Sequence, residues 1–418
     1  MAALASPEGA DLLAAATTYD DDAHARAAAG DASAVDPLRA ASALRAARPD
    51  ADPGLVAAAL TQVRLRRRAR PRLGAVSADL LLTADGLEQA TRTVVADRRA
   101  RLYVARGARH VADLGCGLGL DTLAFARAGL RVTGVERDPV VADLARANVA
   151  RLGLTDRVRI LDGDVTDPAG LDRALRDADA AYADPARRDP DTRREGRSTR
   201  LADPRSWSPP WAWVEALATR VPRTAVKVAP GIDHELAPAS GGATWTSVDG
   251  QLVEAEIAWP ALARGRRRAV VLRGDGAAEL TSDVDLADAD APPVGPVGRF
   301  LLEPDDAVIR AGLVGDLAAR LDGRLLDPRV AYICTDSDVM TPFAARFEVR
   351  HAMPYDVRRL RAHLVAAGIG HVVVKKRAIA ADPDDVRRRL RLPAADGRAV
   401  VLLTRIGDDP YAFVADAM

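Results

Sequence analysis

A glycine-rich turn between an apolar strand and a helix is the first feature with the composition of a ligand site. The stretch VADLGCGLGLD carries Asp113 to the end of the strand and then turns through Gly115, Gly117 and Gly119. Glycines let the backbone approach a ligand closely, and the following helix start offers free N–H groups. A dinucleotide fold needs Gly-x-Gly-x-x-Gly, but here a leucine follows the third glycine. The pattern therefore disfavours NAD, and a purely structural turn remains the alternative.

Acidic residues stand at the ends of the next two predicted strands. LRVTGVE ends at Glu136, and VRILDGDV carries Asp164 with Val165 beside it. Glu136 can accept both ribose hydroxyls of a nucleoside, each charge-assisted bond contributing roughly 1.5–3 kcal/mol, and Asp164 lies where an adenine amino group would be. Each acid alone could cap a helix or sit in a solvated turn, but together with Gly-x-Gly-x-Gly they predict an S-adenosylmethionine site. The predicted cofactor-binding residues are Asp113, Gly115, Cys116, Gly117, Gly119, Asp121, Glu136, Asp164 and Val165.

The elements that must position these residues alternate between strand and helix. HVADLG, LRVTGVE, VRILDGD, ADAAYAD and RTAVKVAPG read as five strands, most of them separated by helical segments. This is the pattern of a parallel sheet with crossover helices. TWTSVDGQLVEAEIAWP then predicts a hairpin on Asp249-Gly250, and RRAVVLRG a further strand. The sequence thus predicts an α/β, Rossmann-like sheet that antiparallel strands complete.

Changes in composition and residue pattern along the chain predict four segments. Residues 1–95 are rich in Ala, Leu and Arg and read as a helical N-terminal region, with the arginines around 64–70 as a solvated helix face. The sheet occupies 96–273, and the acidic, Pro/Gly-rich stretch 274–298 reads as a linker. Residues 299–418 read as an α+β domain, with RAVVLLTRIG as its final strand.

Composition narrows the class of protein without naming a partner. The 418 residues include 59 basic and 59 acidic side chains, and 48% are hydrophobic, enough for a real core. The two cysteines are far apart and form no CxxC pair, which argues against a disulfide framework or a metal site. No secretion signal or membrane-length apolar run is visible, so we expect a cytoplasmic protein without a membrane partner.

These motifs resemble one family over most of the chain from about residue 82. The chain is similar to class I S-adenosylmethionine-dependent methyltransferases, specifically the bacterial family with a C-terminal THUMP-like domain. The resemblance is carried by GLEQATR, DLGCGLGLD, DPARR, KVAPGIDHEL, SVDGQLVEAEI, LLEPDDAVIRAGL, MPYDVRRLR and LLTRIG. It implies a Rossmann-like catalytic domain, S-adenosylmethionine as cofactor, and an RNA-binding role for the appended domain. The methyl acceptor does not follow from the resemblance.

The loop AYADPARRD follows the fourth strand, where class I methyltransferases face the methyl group. In amine methyltransferases a related Asp/Asn-Pro-Pro-aromatic loop holds the amino group and stacks the base. Asp184 and Pro185 match that pattern, but Arg187 stands where the ring would be. We therefore predict Asp184, Pro185 and Arg187 as catalytic residues, while base-amine methylation is put in doubt. Arg187 or Arg188 could instead bind a substrate phosphate or carboxylate, or simply pair with nearby aspartates.

Two further groups are candidates for substrate binding. Trp207 and Trp211 could supply the missing stacking platform, or they could pack the next helix onto the sheet. In the last domain Lys375, Lys376 and Arg377 could contact RNA phosphates, or they could form a solvated basic face.

Three functions remain open from the sequence. The first is methylation of RNA. The second keeps the chemistry but has a small anionic metabolite or a protein as acceptor. The third is a noncatalytic RNA-binding protein that has kept the cofactor fold.

Overall fold

The computed structural model describes residue 4, residues 6–185 and residues 206–418. Arg187 and Arg188 lie outside the described residues. The chain forms two compact units, Met1–Lys227 and Val228–Met418. Elements are numbered below in chain order over the described part of the chain.

The N-terminal region is helical, as expected. Its helices are α1 (Pro7–Ala28), α2 (Pro37–Ala47), α3 (Pro53–Leu73), α4 (Ala84–Gln89) and α5 (Thr93–Ala105). Prolines at the first helical position and aspartate caps start α2 and α3, because proline needs no N–H partner there and the carboxylate accepts from a free backbone N–H.

The first unit continues with a parallel sheet at the stretches expected. Its elements are β1 (His110–Leu114), α6 (Leu120–Arg127), β2 (Arg131–Glu136), α7 (Pro139–Arg151), β3 (Val158–Asp162), α8 (Pro168–Leu175), β4 (Ala180–Ala183), α9 (Trp211–Arg220) and β5 (Thr224–Val228). The strand order is β3-β2-β1-β4-β5, and all neighbours are parallel. Because parallel strands share one direction, their carboxyl ends meet at the same edge of the sheet.

The N-terminal helices share one core with this sheet. Residues from α1 and α3 belong to the same buried cluster as residues of α6 and α7. Asn148 of α7 is fully buried and clamps the extended segment before α4: its Oδ1 accepts from the Leu81 N–H at 2.6 Å, and its Nδ2 donates to the carbonyls of Leu81 and Leu118 at 3.1 and 3.0 Å. The predicted region 1–95 is therefore part of the first compact unit.

The second unit begins with the predicted hairpin. It contains β6 (Gly242–Val248), β7 (Gln251–Ala258), β8 (Arg267–Arg273) and β9 (Gly276–Ser282), in the order β7-β6-β8-β9. Strand β9 pairs antiparallel with β8 through a tight turn at Gly274. The stretch predicted as a linker thus begins with a strand. The glycine-containing turn GDG connects β8 and β9 as a hairpin, and the polar residues around the turn gave no strand pattern.

The C-terminal part is a second mixed sheet with helices. Its elements are β10 (Phe300–Pro304), α10 (Asp306–Arg310), α11 (Val314–Arg320), β11 (Arg324–Asp327), β12 (Val330–Thr335), β13 (Ala344–Pro354), α12 (Val357–Ala366), β14 (Ile369–Lys376), α13 (Pro383–Leu390), β15 (Gly397–Ile406) and β16 (Asp409–Ala417). The strand order is β11-β12-β10-β13-β16-β15-β14. The expectation that β15 is the last strand is wrong, since β16 turns back after Gly407 and pairs along its whole length. Within the described ranges, no helix is both long and apolar enough to cross a bilayer.

Candidate active site

The glycine-rich turn lies at the carboxyl edge of the parallel sheet. Gly115, Gly117 and Gly119 have φ values of 90°, 55° and 83°, left-handed conformations that favour glycine. The backbone N–H groups of Gly115 and Cys116 both donate to the carbonyl of Val135 on β2, at 3.0 and 2.9 Å. A Cβ added at Gly117 would meet nothing within 4 Å. The turn is therefore anchored to the neighbouring strand on one side and open on the other.

The predicted role of Cys116 is limited to its backbone. Its side chain is buried, and burial raises the pKa of the thiol well above its ordinary value. A Cβ on Gly134 would come within 3.1 Å of the Cys116 Sγ and 2.7 Å of the Ile160 Cδ1. The glycine inside β2 therefore makes room for the turn, a role that sequence reasoning missed although glycine within a strand often marks such a close approach.

Glu136 ends β2 and is fixed from two sides. Its Oε2 accepts from the Gly117 N–H at 3.0 Å, and its Oε1 accepts from the Asp138 N–H at 2.9 Å. An ionised carboxylate oxygen has a second acceptor direction. Each oxygen of this half-buried carboxylate can thus still accept a hydroxyl from a ligand over the glycine turn.

Asp164 lies two residues beyond the end of β3. Its Oδ1 accepts from both the backbone N–H and the hydroxyl of Thr166, at 2.8 and 2.7 Å. The Thr166 side-chain bond is the main reason that the pKa of Asp164 is lowered from its ordinary value, so the carboxylate is ionised at neutral pH. Val165 beside it is buried. The other oxygen, Oδ2, is left for a ligand as far as the described residues are concerned.

Asp113 and Asp121, both predicted as cofactor ligands, are engaged inside the protein. Asp113 is 1% exposed and accepts from the Thr122 hydroxyl at 2.5 Å; burial, followed by the charge of Asp121, raises its pKa to about 7. Asp121 pairs with the buried Arg99 guanidinium and accepts from the Thr91 hydroxyl at 2.9 Å. The prediction of direct ligand contact is therefore corrected for Asp113: its side chain supports the turn from behind.

Asp184 follows β4 and is held by a buried lysine. The Lys227 Nζ on β5 lies 2.7 Å from the Asp184 Oδ2, and the two side chains are 9% and 27% exposed. The same Nζ donates to the Thr91 hydroxyl at 3.2 Å and the Gln89 carbonyl at 3.4 Å. Pro185, which follows, is buried. Lys227 had no predicted role, although a lysine inside the apolar run AVKVAPG was an available signal.

Thr91 joins these pairs into one network. Its hydroxyl contacts Asp121 on one side and Lys227 on the other. The side-chain network Arg99–Asp121–Thr91–Lys227–Asp184 therefore runs from α5, through the start of α6, to the end of β4. A Cβ added at Gly115 would stand 3.7 Å from the backbone oxygen of Asp184. The glycine turn and the Asp184 carboxylate thus belong to one site.

Proteins similar to this chain are methyltransferases. A model of the methyltransferase domain matches residues 111–186, and a THUMP domain-like model matches residues 344–417. An uncharacterised S-adenosylmethionine-dependent methyltransferase of Mycobacterium tuberculosis is 36% identical over 380 residues, which cover 87% of this chain and 96% of that one. The chain belongs to the S-adenosylmethionine-dependent methyltransferase family. The noncatalytic alternative is therefore dropped.

Two further proteins are similar to this chain, one over most of its length and one over a short segment. A crystal structure of a candidate methyltransferase from Porphyromonas gingivalis W83 has a TM-score of 0.70 and 21% identity, covering 88% of this methyltransferase and 92% of that chain. It confirms the predicted fold class. A 23S rRNA (uracil(1939)-C(5))-methyltransferase of Acidithiobacillus ferrooxidans is 37% identical over 99 residues, 22% of each chain.

S-adenosylmethionine is the cofactor of this methyltransferase, and the carboxyl edge of its sheet fits that molecule. The turn has open space at Gly117, and the carboxylates of Glu136 and Asp164 keep acceptor positions for hydroxyl and amino groups. No three potential metal ligands group together in the parts of the chain described above.

The tryptophan pair does not provide the predicted stacking platform. Trp207 and Trp211 are 4% and 7% exposed, and their rings meet edge to face with centroids 6.1 Å apart. A base needs a free ring face, and both rings are used for packing at the start of α9. The burial of both rings favours the alternative, packing of the next helix.

The basic residues of the THUMP-like domain are partly neutralised. Lys375 pairs with Glu303, and Arg377 lies 3.8 Å from both Glu303 and Asp306. Lys376 is exposed at the end of β14. Of the three predicted phosphate contacts, Lys376 is thus the one whose side chain faces solvent without an ion pair to a described residue.

Proposed function

We propose that this methyltransferase methylates RNA. The observation that carries the proposal is the union, in one chain, of the Asp184 site with a THUMP-like domain at residues 344–417. THUMP domains in other proteins accompany RNA-modifying enzymes, an argument by analogy. The partial likeness to an enzyme that methylates 23S rRNA supports the same substrate class.

The cofactor would be held by the edge of the parallel sheet. Glu136 accepts the two ribose hydroxyls, Asp164 accepts the adenine amino group, and Val165 borders the ring. The backbone at Gly115 and Gly117 approaches the amino-acid end, with Asp113 behind it. S-adenosylmethionine, when bound, supplies a methyl group on a sulfonium.

The acceptor would be held by Asp184 and the chain around it. The Asp184 carboxylate accepts a hydrogen bond from the acceptor group, and its contact with Lys227 at 2.7 Å fixes its orientation. Methyl transfer is an in-line displacement, so orientation can supply roughly 7–11 kcal/mol of the barrier reduction. Arg187 and Arg188 stay candidates for contacts to a substrate phosphate.

The test is tritium transfer from labelled S-adenosylmethionine into RNA from cells that lack this protein. Asp184→Ala and Glu136→Ala run in parallel, with the protein and small-molecule fractions of the same cells as competing acceptors. We expect label in RNA that both substitutions abolish, and digestion of that RNA then identifies the methylated base. Label confined to another fraction overturns the RNA proposal and moves the acceptor to that class.

A further inference from the structure

A basic concavity lies at the opposite edge of the parallel sheet, where the strands begin. Its volume is about 290 Å³, and it is bordered by the first residues of β1, β2 and β3 and by the end of α8. Five exposed arginines line it: Arg131, Arg157, Arg159, Arg173 and Arg176. The methyl-transfer site uses none of them.

The charges of these arginines are not compensated by ion pairs to described residues. None of the five has a carboxylate within 4 Å among the described residues, whereas Arg127 and Arg220 nearby pair with aspartates at 2.8 and 2.6 Å. Asp156 and Asp177 are the acidic side chains of the lining, so five positive charges face two negative ones. Like charges brought together repel each other, and a bound anion removes that repulsion.

The helix dipole explains only part of this arginine cluster. A cation at a helix C-terminus interacts favourably with the helix dipole, which accounts for Arg173 and Arg176 at the end of α8. Arg131 and Arg159 stand on strands instead, and the Arg157 guanidinium donates to the Gly129 carbonyl at 2.9 Å in front of β3. Arginines from three different elements therefore converge on one space without a common structural cause.

The neutral groups of the lining also suit an oxyanion. The His110 Nε2 contacts the Thr133 hydroxyl at 2.9 Å, and both residues border the concavity. Thr155 also borders the concavity. A guanidinium donates to two oxygens of a phosphate at once, and the oxygens of one phosphate group can accept from more than one arginine. A lining with several arginines therefore suits phosphate.

We propose that this concavity binds phosphate groups of the RNA strand at a distance from the nucleotide that is methylated, an inference that rests on the proposed function. Arg131 and Glu136 stand at opposite ends of β2. Five residue steps of roughly 3.3 Å put the two sites about 16 Å apart. RNA long enough to follow the domain over that distance contacts both sites, whereas an oligonucleotide of two or three residues does not.

The experiment compares two double variants of the full chain. Arg159→Gln/Arg176→Gln removes two unpaired arginines of the concavity, and Arg127→Gln/Arg220→Gln removes two paired ones as a control with the same charge change. Binding of a fluorescent 20-nucleotide RNA is measured between 50 and 200 mM salt, together with S-adenosylmethionine affinity. Two lost single-strand phosphate contacts reduce the slope of log K against log salt by about 1.4, so the salt-induced loss of affinity becomes about sevenfold smaller.

We expect the first variant to show this reduced slope with unchanged cofactor affinity, and the control to keep the wild-type slope. A wild-type slope in both variants overturns the inference while leaving RNA methylation intact. Wild-type protein that neither binds nor methylates RNA overturns the proposed function instead. In that case pyrophosphate is titrated into the wild type and into the first variant. Binding by the wild type that the first variant loses identifies a free phosphate compound as the ligand, and this result also overturns the polynucleotide assignment.

Discussion

Removal of the Glu136 carboxylate should weaken S-adenosylmethionine binding by about two orders of magnitude. Two hydrogen bonds from ribose hydroxyls to a carboxylate contribute roughly 3–6 kcal/mol together. At a half-buried site, water replaces part of the lost hydrogen bonding. For Glu136→Ala we therefore expect a loss of about 3 kcal/mol of binding free energy, or a roughly 150-fold higher Kd. Isothermal titration with S-adenosylmethionine measures this without any knowledge of the methyl acceptor.

The geometry also predicts that glutamine does not rescue the site. Both carboxylate oxygens already accept from backbone N–H groups, those of Gly117 and Asp138. In Glu136→Gln the amide NH₂ must face one of these donors, so the turn itself is disturbed. We therefore expect Glu136→Gln to bind almost as weakly as Glu136→Ala.

A matched control is available on the adjacent strand. Asp162 is the register partner of Glu136 on β3, and its carboxylate pairs with Arg146 at 2.5 Å. Asp162→Asn should leave the Kd within threefold of the wild type. The reasoning is refuted if Glu136→Ala binds within threefold of the wild type, or if Asp162→Asn weakens binding equally.

Three other substitutions test the rest of the first unit. Lys227→Met should lower kcat roughly 10–100-fold, since a partly exposed Asp184 loses its partner, with cofactor Kd unchanged; full activity contradicts the positioning role. Asp113→Asn should gain stability over the wild type as pH rises from about 4 to 7, by about 4 kcal/mol at most. In the wild type the buried carboxyl keeps its proton up to its raised pKa of about 7, whereas the unfolded chain releases it near the ordinary pKa, so the wild type loses stability across that window. Urea unfolding at pH 5 and pH 8 checks the sign, and a constant difference contradicts it. Asn148→Leu should cost about 3–6 kcal/mol, since it leaves three buried backbone groups at Leu81 and Leu118 unpaired; an unchanged urea midpoint contradicts this.

The local sequence pattern was sufficient to predict the positions of the first five strands and of the acidic residues at their ends. The first five strands are short apolar runs bounded by turn residues, and each lies where the sequence predicts it. Strand β9 was missed because GAAELTS is polar and short, so its pairing with β8 has little signature in its own residues. The same holds for the role of Lys227, whose partners Gln89, Thr91 and Asp184 are 138, 136 and 43 residues away.

The sequence could not show which arginines are buried or paired with carboxylates and which face solvent. Lysine occurs at three positions only, so a basic stretch such as 64–70 carries little information about partners. The structure separates its members: Arg67 pairs with Asp20 at 2.5 Å, while Arg66 is buried and donates to the Leu80 carbonyl at 2.8 Å. The solvated face predicted for this helix is therefore wrong at Arg66, and burial lowers the pKa of its guanidinium to about 10.

The same distinction between paired and unpaired arginines identifies the concavity at the start of the strands as a candidate anion site. Its arginines are scattered over 46 positions of sequence, from Arg131 to Arg176, and no local run marks them. An arginine next to a carboxylate has its charge already compensated, so only a group of uncompensated arginines in one space attracts an anion strongly. In a chain with this composition, the density of basic residues is therefore a weak guide to nucleic-acid contact. The absence of partners around converging guanidinium groups is the stronger one.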